Sequence, residues 1–392
     1  MNLNRSKRLS ALIALYLSVF IIGTAELLPM GLLLPLAQDL HIGLSLTGML
    51  VTGYALGVAI GGPPIFVLTG RLPRKTLLCL FLLVFTIGGA ICTFATTFWM
   101  LLLGRIISSF AHGIFFGMAV LTAKDLATAE KGGTYISIVM MGITLSVIFG
   151  APAGAFIGIQ LGWRAAFLVI TLLSVLTLIL LFVGLPDLSR LEKVSLKDQL
   201  MKLGNGQFIA AFLATTFCIG GFFAGFTYIS PLLEKITGFS AHSISIILFI
   251  FGIGAIVGNL IGGKQADKNL RRAIFTGTSL LILSLIMLFV VNHMKLASVI
   301  AIFILGVASY GIMTPFQLLM LQKSAGAEEL AATINISAFN LGNAIGPLIG
   351  SLTLICGWGL KIIPLTGAIT VFVGLLLSVW CQAKEGSKQK NV

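Results

Sequence analysis

One carboxylate stands apart from the other acidic residues of this sequence. The chain has 12 Asp and Glu residues, and Glu26 is the one placed within an apolar run, the segment 21–30. A carboxylate at membrane depth costs about 2.5–3.5 kcal/mol on insertion scales, so it is rarely placed there without a function. We therefore interpret Glu26 as a proton carrier. The alternative is a structural carboxyl group that is satisfied by a neighbouring helix.

A second polar group lies in another apolar run, around Arg105. Arg105, Ser109 and His112 are spaced i, i+4 and i+7, so they share one face of a helix. An arginine inside a membrane must face water or a partner, and Glu26 is the natural partner, directly or through water. Because the unperturbed pKa of an imidazole is about 6.5, His112 suits a proton relay. Equally, His112 could simply bond a backbone carbonyl.

The composition of the chain indicates that Glu26 and Arg105 lie in a membrane protein. Of 392 residues, 58% are hydrophobic and 9% are charged, which excludes an ordinary water-soluble domain. We predict an all-α polytopic membrane protein with twelve transmembrane helices. The apolar runs lie at roughly 9–36, 45–69, 76–95, 98–122, 134–160, 165–185, 207–232, 242–263, 273–292, 296–321, 331–355 and 361–381.

Lys and Arg are distributed unevenly between the predicted loops. The formal net charge is +13, but the basic residues lie in short loops rather than on one face, which argues against nucleic acid as a partner. With the N-terminus inside, about twenty of the 25 Lys and Arg fall in cytoplasmic segments. We predict a bacterial-type inner (plasma) membrane protein with both termini cytoplasmic. The five Cys lack metal-site or disulfide spacing, so we expect no metal and no cofactor beyond a proton gradient.

The two halves of the sequence repeat one pattern. The pair Gly57 and Gly61 returns as Gly254 and Gly258, and the basic turn that follows each pair repeats at the same separation. Two parallel six-helix repeats with a substrate site near the midplane form a transporter architecture. The predicted organisation is an N-terminal six-helix half at 1–185, a cytoplasmic central loop at 186–206 and a C-terminal six-helix half at 207–392.

The two basic turns resemble the signature of the major facilitator superfamily, Gly-x-x-x-Asp-Arg-x-Gly-Arg-Arg/Lys. The second copy runs from Gly263 to Arg272 with Leu270 in place of Gly, and in the first copy Gly70 replaces the Asp. The resemblance implies that charged side chains at these turns hold a gate shut; membrane anchoring is the alternative. The implied gating residues are Arg71, Arg74, Lys75, Asp267, Lys268, Arg271 and Arg272.

Within this superfamily, the chain resembles the twelve-span drug:proton antiporter branch. Gly150-Ala-Pro152-Ala-Gly154 is similar to the span-five motif of antiporters, and such glycines let helices approach while proline permits a kink. The segment 23–26 resembles arabinose-efflux-permease-like members, which are related to chloramphenicol and purine efflux pumps. Arg105 is similar to the span-four arginine of the family, which faces the cavity.

The resemblance also implies a substrate cavity lined by spans one, four, seven and ten, with polar groups added by span eleven. Its candidate residues are Met30, Phe222, Tyr228, Tyr310, Phe316, Gln317, Asn335 and Asn340. Because these segments carry little charge, we expect a small neutral or weakly polar cargo, such as chloramphenicol, a sugar or a nucleoside.

The function expected from these features is proton-coupled efflux by a monomeric antiporter that works by alternating access. The first alternative is a proton symporter or facilitator that imports a small nutrient. A membrane enzyme or sensor is the second, and it is disfavoured because the sequence contains no nucleotide-binding loop and no metal-ligand cluster.

Overall fold

The computed structural model describes residues 5–69, 72–126, 132–186, 205–324 and 328–388, and every regular element in these ranges is helical. The earlier helices are α1 (Arg5–Asp39), α2 (Leu44–Thr69), α3 (Arg74–Thr93), α4 (Phe98–Leu126), α5 (Gly132–Leu145), α6 (Ala151–Leu161) and α7 (Trp163–Gly184). The later helices are α8 (Gly206–Thr227), α9 (Ile229–Leu232), α10 (Ala241–Lys268), α11 (Leu270–Val291), α12 (Lys295–Gly311), α13 (Met313–Gln322), α14 (Glu328–Ile355) and α15 (Ile363–Lys388). Two π-helical turns, Ser146–Gly150 and Leu233–Thr237, and one 3-10 turn, Leu360–Ile362, complete the set.

Among the described residues, eleven helices are long and apolar enough to cross a membrane. Eleven of the predicted runs coincide with them. The twelfth run, 45–69, lies on α2, where the described apolar segment is the shorter Leu44–Ile60, although the helix itself continues to Thr69. The prediction of an all-α polytopic membrane protein is confirmed.

The chain divides into two compact units. The first comprises 1–43 and 53–193, and the second comprises 44–52 and 194–392. The beginning of α2 therefore belongs to the second unit, whereas the sequence predicts all of α2 in the N-terminal half. Within the second unit, Thr52 Oγ1 donates a hydrogen bond of 3.1 Å to the carbonyl of Ala344, which accounts for this assignment. The predicted central loop at 186–206 lies largely outside the described residues.

Close helix packing in the first unit fixes the position of α1. A row of glycines four residues apart on α6 and the preceding turn faces a row of α1 side chains with the same spacing. The facing pairs are Gly150 with Thr24, Gly154 with Leu28, and Gly158 with Leu32, and in each a Cβ on the glycine would overlap the side chain. Because the pairs advance together, the helices run parallel and α1 is held in one register.

The second unit repeats this packing between α8 and α14. A Cβ on Gly342 would lie 2.7 Å from the carbonyl oxygen of Thr216, and one on Gly346 would lie 2.5 Å from that of Gly220. Backbone therefore meets backbone at these pairs, whereas in the first unit the side chains of α1 fill the space over the glycines. In both units glycine lets two membrane helices approach closely. The sequence repeat is thus also a repeat of packing.

Candidate functional site

The candidate site is built around a helix carbonyl that proline leaves without its usual partner. Pro29 lies inside α1 and has no N–H, so the carbonyl of Ala25, four residues earlier, lacks its helical donor. Arg105 supplies the missing donor from α4: its guanidinium donates to the carbonyl oxygens of Ala25 and Glu26, the latter at 3.2 Å. The arginine is 1% exposed, and these bonds satisfy part of a buried charge.

The predicted meeting of Arg105 with Glu26 is therefore made through the Glu26 backbone. The Glu26 carboxylate faces His112 instead, with Oε2 4.0 Å from Nε2 of the imidazole. This is an ion-pair distance and exceeds hydrogen-bond length. The carboxylate remains 20% exposed, while the His112 side chain is 6% exposed.

Tyr54 on α2 connects the two basic groups. Its hydroxyl lies 3.1 Å from Nδ1 of His112, and its ring lies 3.9 Å below the Arg105 guanidinium carbon. The other side of His112 packs on Phe116, with ring centroids 4.2 Å apart. We call Glu26, Tyr54, Arg105 and His112 the Glu26 cluster.

The geometry of the Glu26 cluster links its protonation states. If the Tyr54 hydroxyl donates to Nδ1, the neutral imidazole carries its hydrogen on Nε2, which faces an ionised Glu26. If Glu26 is protonated, Nε2 can accept, and Nδ1–H then donates to the Tyr54 oxygen. The arrangement can hold and release a proton while the Arg105 charge stays fixed on the α1 backbone.

The position in the second unit that corresponds to Glu26 holds an aromatic residue. Thr24 and Gly220 each face the glycine of the repeated motif, so Glu26 corresponds to Phe222, two residues after each. Phe222 stacks with Phe226 and Phe251 at centroid distances of 5.2 and 6.0 Å, and Tyr310 meets Phe251 edge-on at 6.2 Å. We call Phe222, Phe226, Phe251 and Tyr310 the aromatic cluster.

The other predicted cavity residues have varied surroundings. Met30 on α1 and Phe316 on α13 are buried, and Gln317 is exposed. Tyr228 is buried and donates to the Pro347 carbonyl at 3.2 Å. Asn340 donates to the Ile336 carbonyl of its own helix at 2.9 Å, and Oδ1 of buried Asn335 has no hydrogen-bond partner within the described ranges. Their roles in a cavity stay predictions.

The predicted gating residues behave differently in the two turns. Arg74 forms an ion pair with Asp125 at the end of α4, and Lys75 lies over the ring of Phe182 at 5.4 Å. Arg71 lies outside the described residues. In the second turn, all four predicted residues are exposed: Asp267, Lys268, Arg271 and Arg272. Gating remains a prediction for both turns.

The structure brings together the predicted residues Glu26, Arg105 and His112, and it adds Tyr54 and the freed carbonyl, which the sequence analysis does not include. The functional roles of these residues stay predictions. Two signals for Tyr54 and the carbonyl were present in the sequence. A tyrosine within an apolar run needs a partner for its hydroxyl, and Pro29 stands four residues after Ala25. In the described part of the chain, no group of three or more His, Cys, Asp or Glu is arranged to hold a metal.

Apolar helices long enough to span a membrane define a polytopic membrane protein, and an intramembrane titratable cluster is typical of transporters. A family model, the Major Facilitator Superfamily, matches residues 15–347. The chain belongs to the Major Facilitator Superfamily. Its function is therefore transport of small molecules across the membrane, rather than enzymatic catalysis.

Individual relatives agree with this membership. The inner membrane transport protein YdhP of Escherichia coli (strain K12) is 32% identical over 366 residues, covering 93% of this chain and 94% of that protein. The putative transporter AraJ of the same strain is 31% identical over 366 residues, 93% of each. A probable sugar efflux transporter of Helicobacter pylori is 29% identical over 364 residues, 93% of this chain and 92% of that protein.

The fold is also that of a solved transporter. A bacterial homolog of the human lysosomal transporter Spinster, in an inward-facing and unoccupied conformation, matches with a TM-score of 0.77 at 17% identity. The match covers 97% of this chain and 96% of that one. The predicted fold is thus confirmed, and the match to the putative transporter AraJ confirms the resemblance to arabinose-efflux-permease-like members of the superfamily.

Proposed function

We propose that this protein is a proton-coupled efflux antiporter for a small neutral or weakly polar compound. The observation that carries the proposal is the Glu26 cluster, in which an intramembrane carboxylate lies 4.0 Å from a histidine. Intramembrane acids of this kind are typical of proton relays in transporters.

The cluster suits proton exchange because its parts have separate tasks. Arg105 holds the α1 backbone at Ala25 and Glu26 through carbonyl groups, whose charge does not change when the Glu26 carboxylate gains or loses a proton. Glu26 and His112 are then free to change their proton occupancy, and Tyr54 accommodates either imidazole tautomer through its hydroxyl. Proton uptake from one side and release to the other drives the opposite movement of cargo in alternating access.

Efflux of a sugar-like cargo is supported by the relatives. One of them is named a probable sugar efflux transporter, and it covers nearly the whole chain. The Gly150–Gly154 motif, which the sequence resemblance associates with antiporters, packs directly on α1 beside Glu26. Both observations favour export of a neutral polar molecule over import.

Transport across reconstituted vesicles under an imposed pH gradient tests the proposal. Labelled arabinose, chloramphenicol and a purine nucleoside serve as cargo for the wild type, Glu26→Gln and the matched control Glu234→Gln. Glu234 belongs to the second unit, so its substitution makes the same chemical change outside the unit that contains the Glu26 cluster.

We expect one cargo to move against the proton flow in the wild type and the control, and Glu26→Gln to abolish this driven movement. Movement in the same direction as protons would identify a symporter. Flux that follows the cargo gradient, indifferent to pH and to Glu26, would identify a facilitator and reduce Glu26 to a structural acid.

A further inference from the structure

A groove in the second unit lies beside the beginning of α11, and no residue of the Glu26 cluster lines it. It has a volume of about 400 Å³, and α11 and α15 supply its walls. Arg271, Arg272 and Phe275 line it from α11, and Ser378, Val379 and Gln382 line it from α15. The groove is thus basic at the helix end and apolar one turn further along α11.

No acidic side chain that the structure describes neutralises the charges of the two arginines. Both side chains are exposed, and neither forms an ion pair with an acidic group in the ranges that the structure describes. Exposed Lys264 and Lys268 at the end of α10 add positive charge, and Asp267 contributes one negative charge. The described charges around the mouth of the groove are therefore net positive.

The start of α11 adds to this potential. Asn269 accepts a hydrogen bond from the backbone N–H of Arg272 at 2.9 Å and so caps a spanning helix of 22 residues. The positive end of the α11 helix dipole points toward the groove mouth, where it stabilises an anion. The apolar wall consists of Phe275 and Val379, which are 53% and 38% exposed because no described segment of the protein covers them.

We propose that this groove binds an anionic phospholipid, with its phosphate on Arg271 and Arg272 and an acyl chain along Phe275 and Val379. A basic group and an apolar wall at the end of a spanning helix match the two parts of a lipid molecule, and basic pockets between membrane helices are suited to such headgroups. Guanidinium groups pair with phosphate in a bidentate manner, which favours arginine at this position.

The test is native mass spectrometry of the full-length protein with equal amounts of phosphatidylglycerol and phosphatidylcholine. The charge variant is Arg271→Gln with Arg272→Gln. Its matched control is Lys264→Gln with Lys268→Gln, which removes the same charge from α10 outside the groove lining. Val379→Trp fills the apolar part of the groove and leaves all charges in place.

We expect the wild type and the lysine control to retain phosphatidylglycerol in preference to phosphatidylcholine. The affinity for phosphatidylglycerol should fall by about fivefold for each arginine removed, from the usual contribution of a basic residue near an anionic membrane. Val379→Trp should also reduce retention. The single arginine variants and Val379→Trp keep the test decisive if the double variant does not fold.

Three results would overturn the proposal. Equal losses in the arginine variant and the lysine control would show general surface attraction. Displacement of phosphatidylglycerol by inorganic phosphate, with Val379→Trp without effect, would show a free-phosphate site. Dimers that form in the wild type and disappear with Val379→Trp would show that a second copy of the chain covers the groove.

Discussion

In the proposed antiporter, Tyr54 connects the proton-carrying pair Glu26 and His112 with the fixed charge of Arg105, so removal of its hydroxyl tests their coupling. Tyr54→Phe keeps the ring under Arg105 and removes the hydrogen bond to His112 Nδ1. Loss of this bond, about 1 kcal/mol, should slow proton-driven flux by about fivefold. Exchange of labelled for unlabelled cargo, which needs no proton turnover, should stay near the wild-type rate.

Vesicle assays of proton-driven flux and of cargo exchange measure these two rates for Tyr54→Phe. Tyr16→Phe on α1 is the matched control because it removes a tyrosine hydroxyl outside the Glu26 cluster. Equal slowing of driven flux and exchange in Tyr54→Phe would mean that the hydroxyl only supports folding. Tyr54 would then have no part in the relay.

A second prediction at the residue scale concerns Pro29, whose substitution should affect stability and transport in opposite directions. Pro29→Ala restores an N–H that can bond the Ala25 carbonyl, so the helix gains a donor and Arg105 loses an acceptor. We expect unchanged or higher thermal stability but slower driven flux. Pro35→Ala, also inside α1, is the control, because its freed carbonyl is not one of the Arg105 acceptors. Normal flux in Pro29→Ala would contradict this role of the freed carbonyl.

These residues also show what sequence can predict of the site. An acid and an arginine within apolar runs are conspicuous because membrane burial makes them costly, so Glu26 and Arg105 stand out. Their actual contact depends on a backbone carbonyl, which every residue has and no side-chain pattern reveals. The sequence pattern does not single out Tyr54, because the hydrogen-bond partner of its hydroxyl, His112, lies on a different helix.

At the scale of elements, the contact between α6 and α1 places the carboxylate. Spacing alone predicts that the glycine face of Gly150 and Gly154 meets another helix closely, but not which helix, because any neighbour with suitable side chains would fit. The structure identifies α1 and shows why Thr24 lies opposite Gly150. The predicted spans agree with the helices for a related reason: hydropathy reports membrane crossing directly, whereas helix pairing depends on shape.

A double-mutant cycle tests this contact. Gly150→Ala places a methyl group against Thr24 Oγ1, and such overpacking costs about 1–3 kcal/mol of unfolding free energy. Thr24→Ala in the same chain should recover part of the loss, which thermal unfolding would detect. Gly117→Ala on α4 is the control because no other atoms lie within 4 Å of its added Cβ. Additive effects of the two substitutions would show that these positions do not interact.

At the scale of the whole molecule, one repeated architecture carries two kinds of chemistry. The positions of Glu26 and Tyr54 in the first unit correspond to Phe222 and Phe251 in the second, since Tyr54 and Phe251 each precede the repeated glycine by three residues. The repeat is visible in the sequence because the close helix contacts of both units need glycines at the same spacing. The difference in side-chain chemistry at equivalent positions becomes clear once helix contacts define those positions.

This divergence predicts that proton dependence and cargo preference can be altered separately. Phe222→Leu weakens stacking with Phe226 and Phe251, at a cost of about 0.5–1.5 kcal/mol for each pair. If the aromatic cluster serves the cargo, this variant should change the KM for cargo while its pH profile stays that of the wild type. Glu26→Gln should show the reverse, with a flattened pH profile. The KM and the pH profile of vesicle flux measure both effects, and a flattened profile in Phe222→Leu would show that proton coupling extends across both units rather than residing in the first.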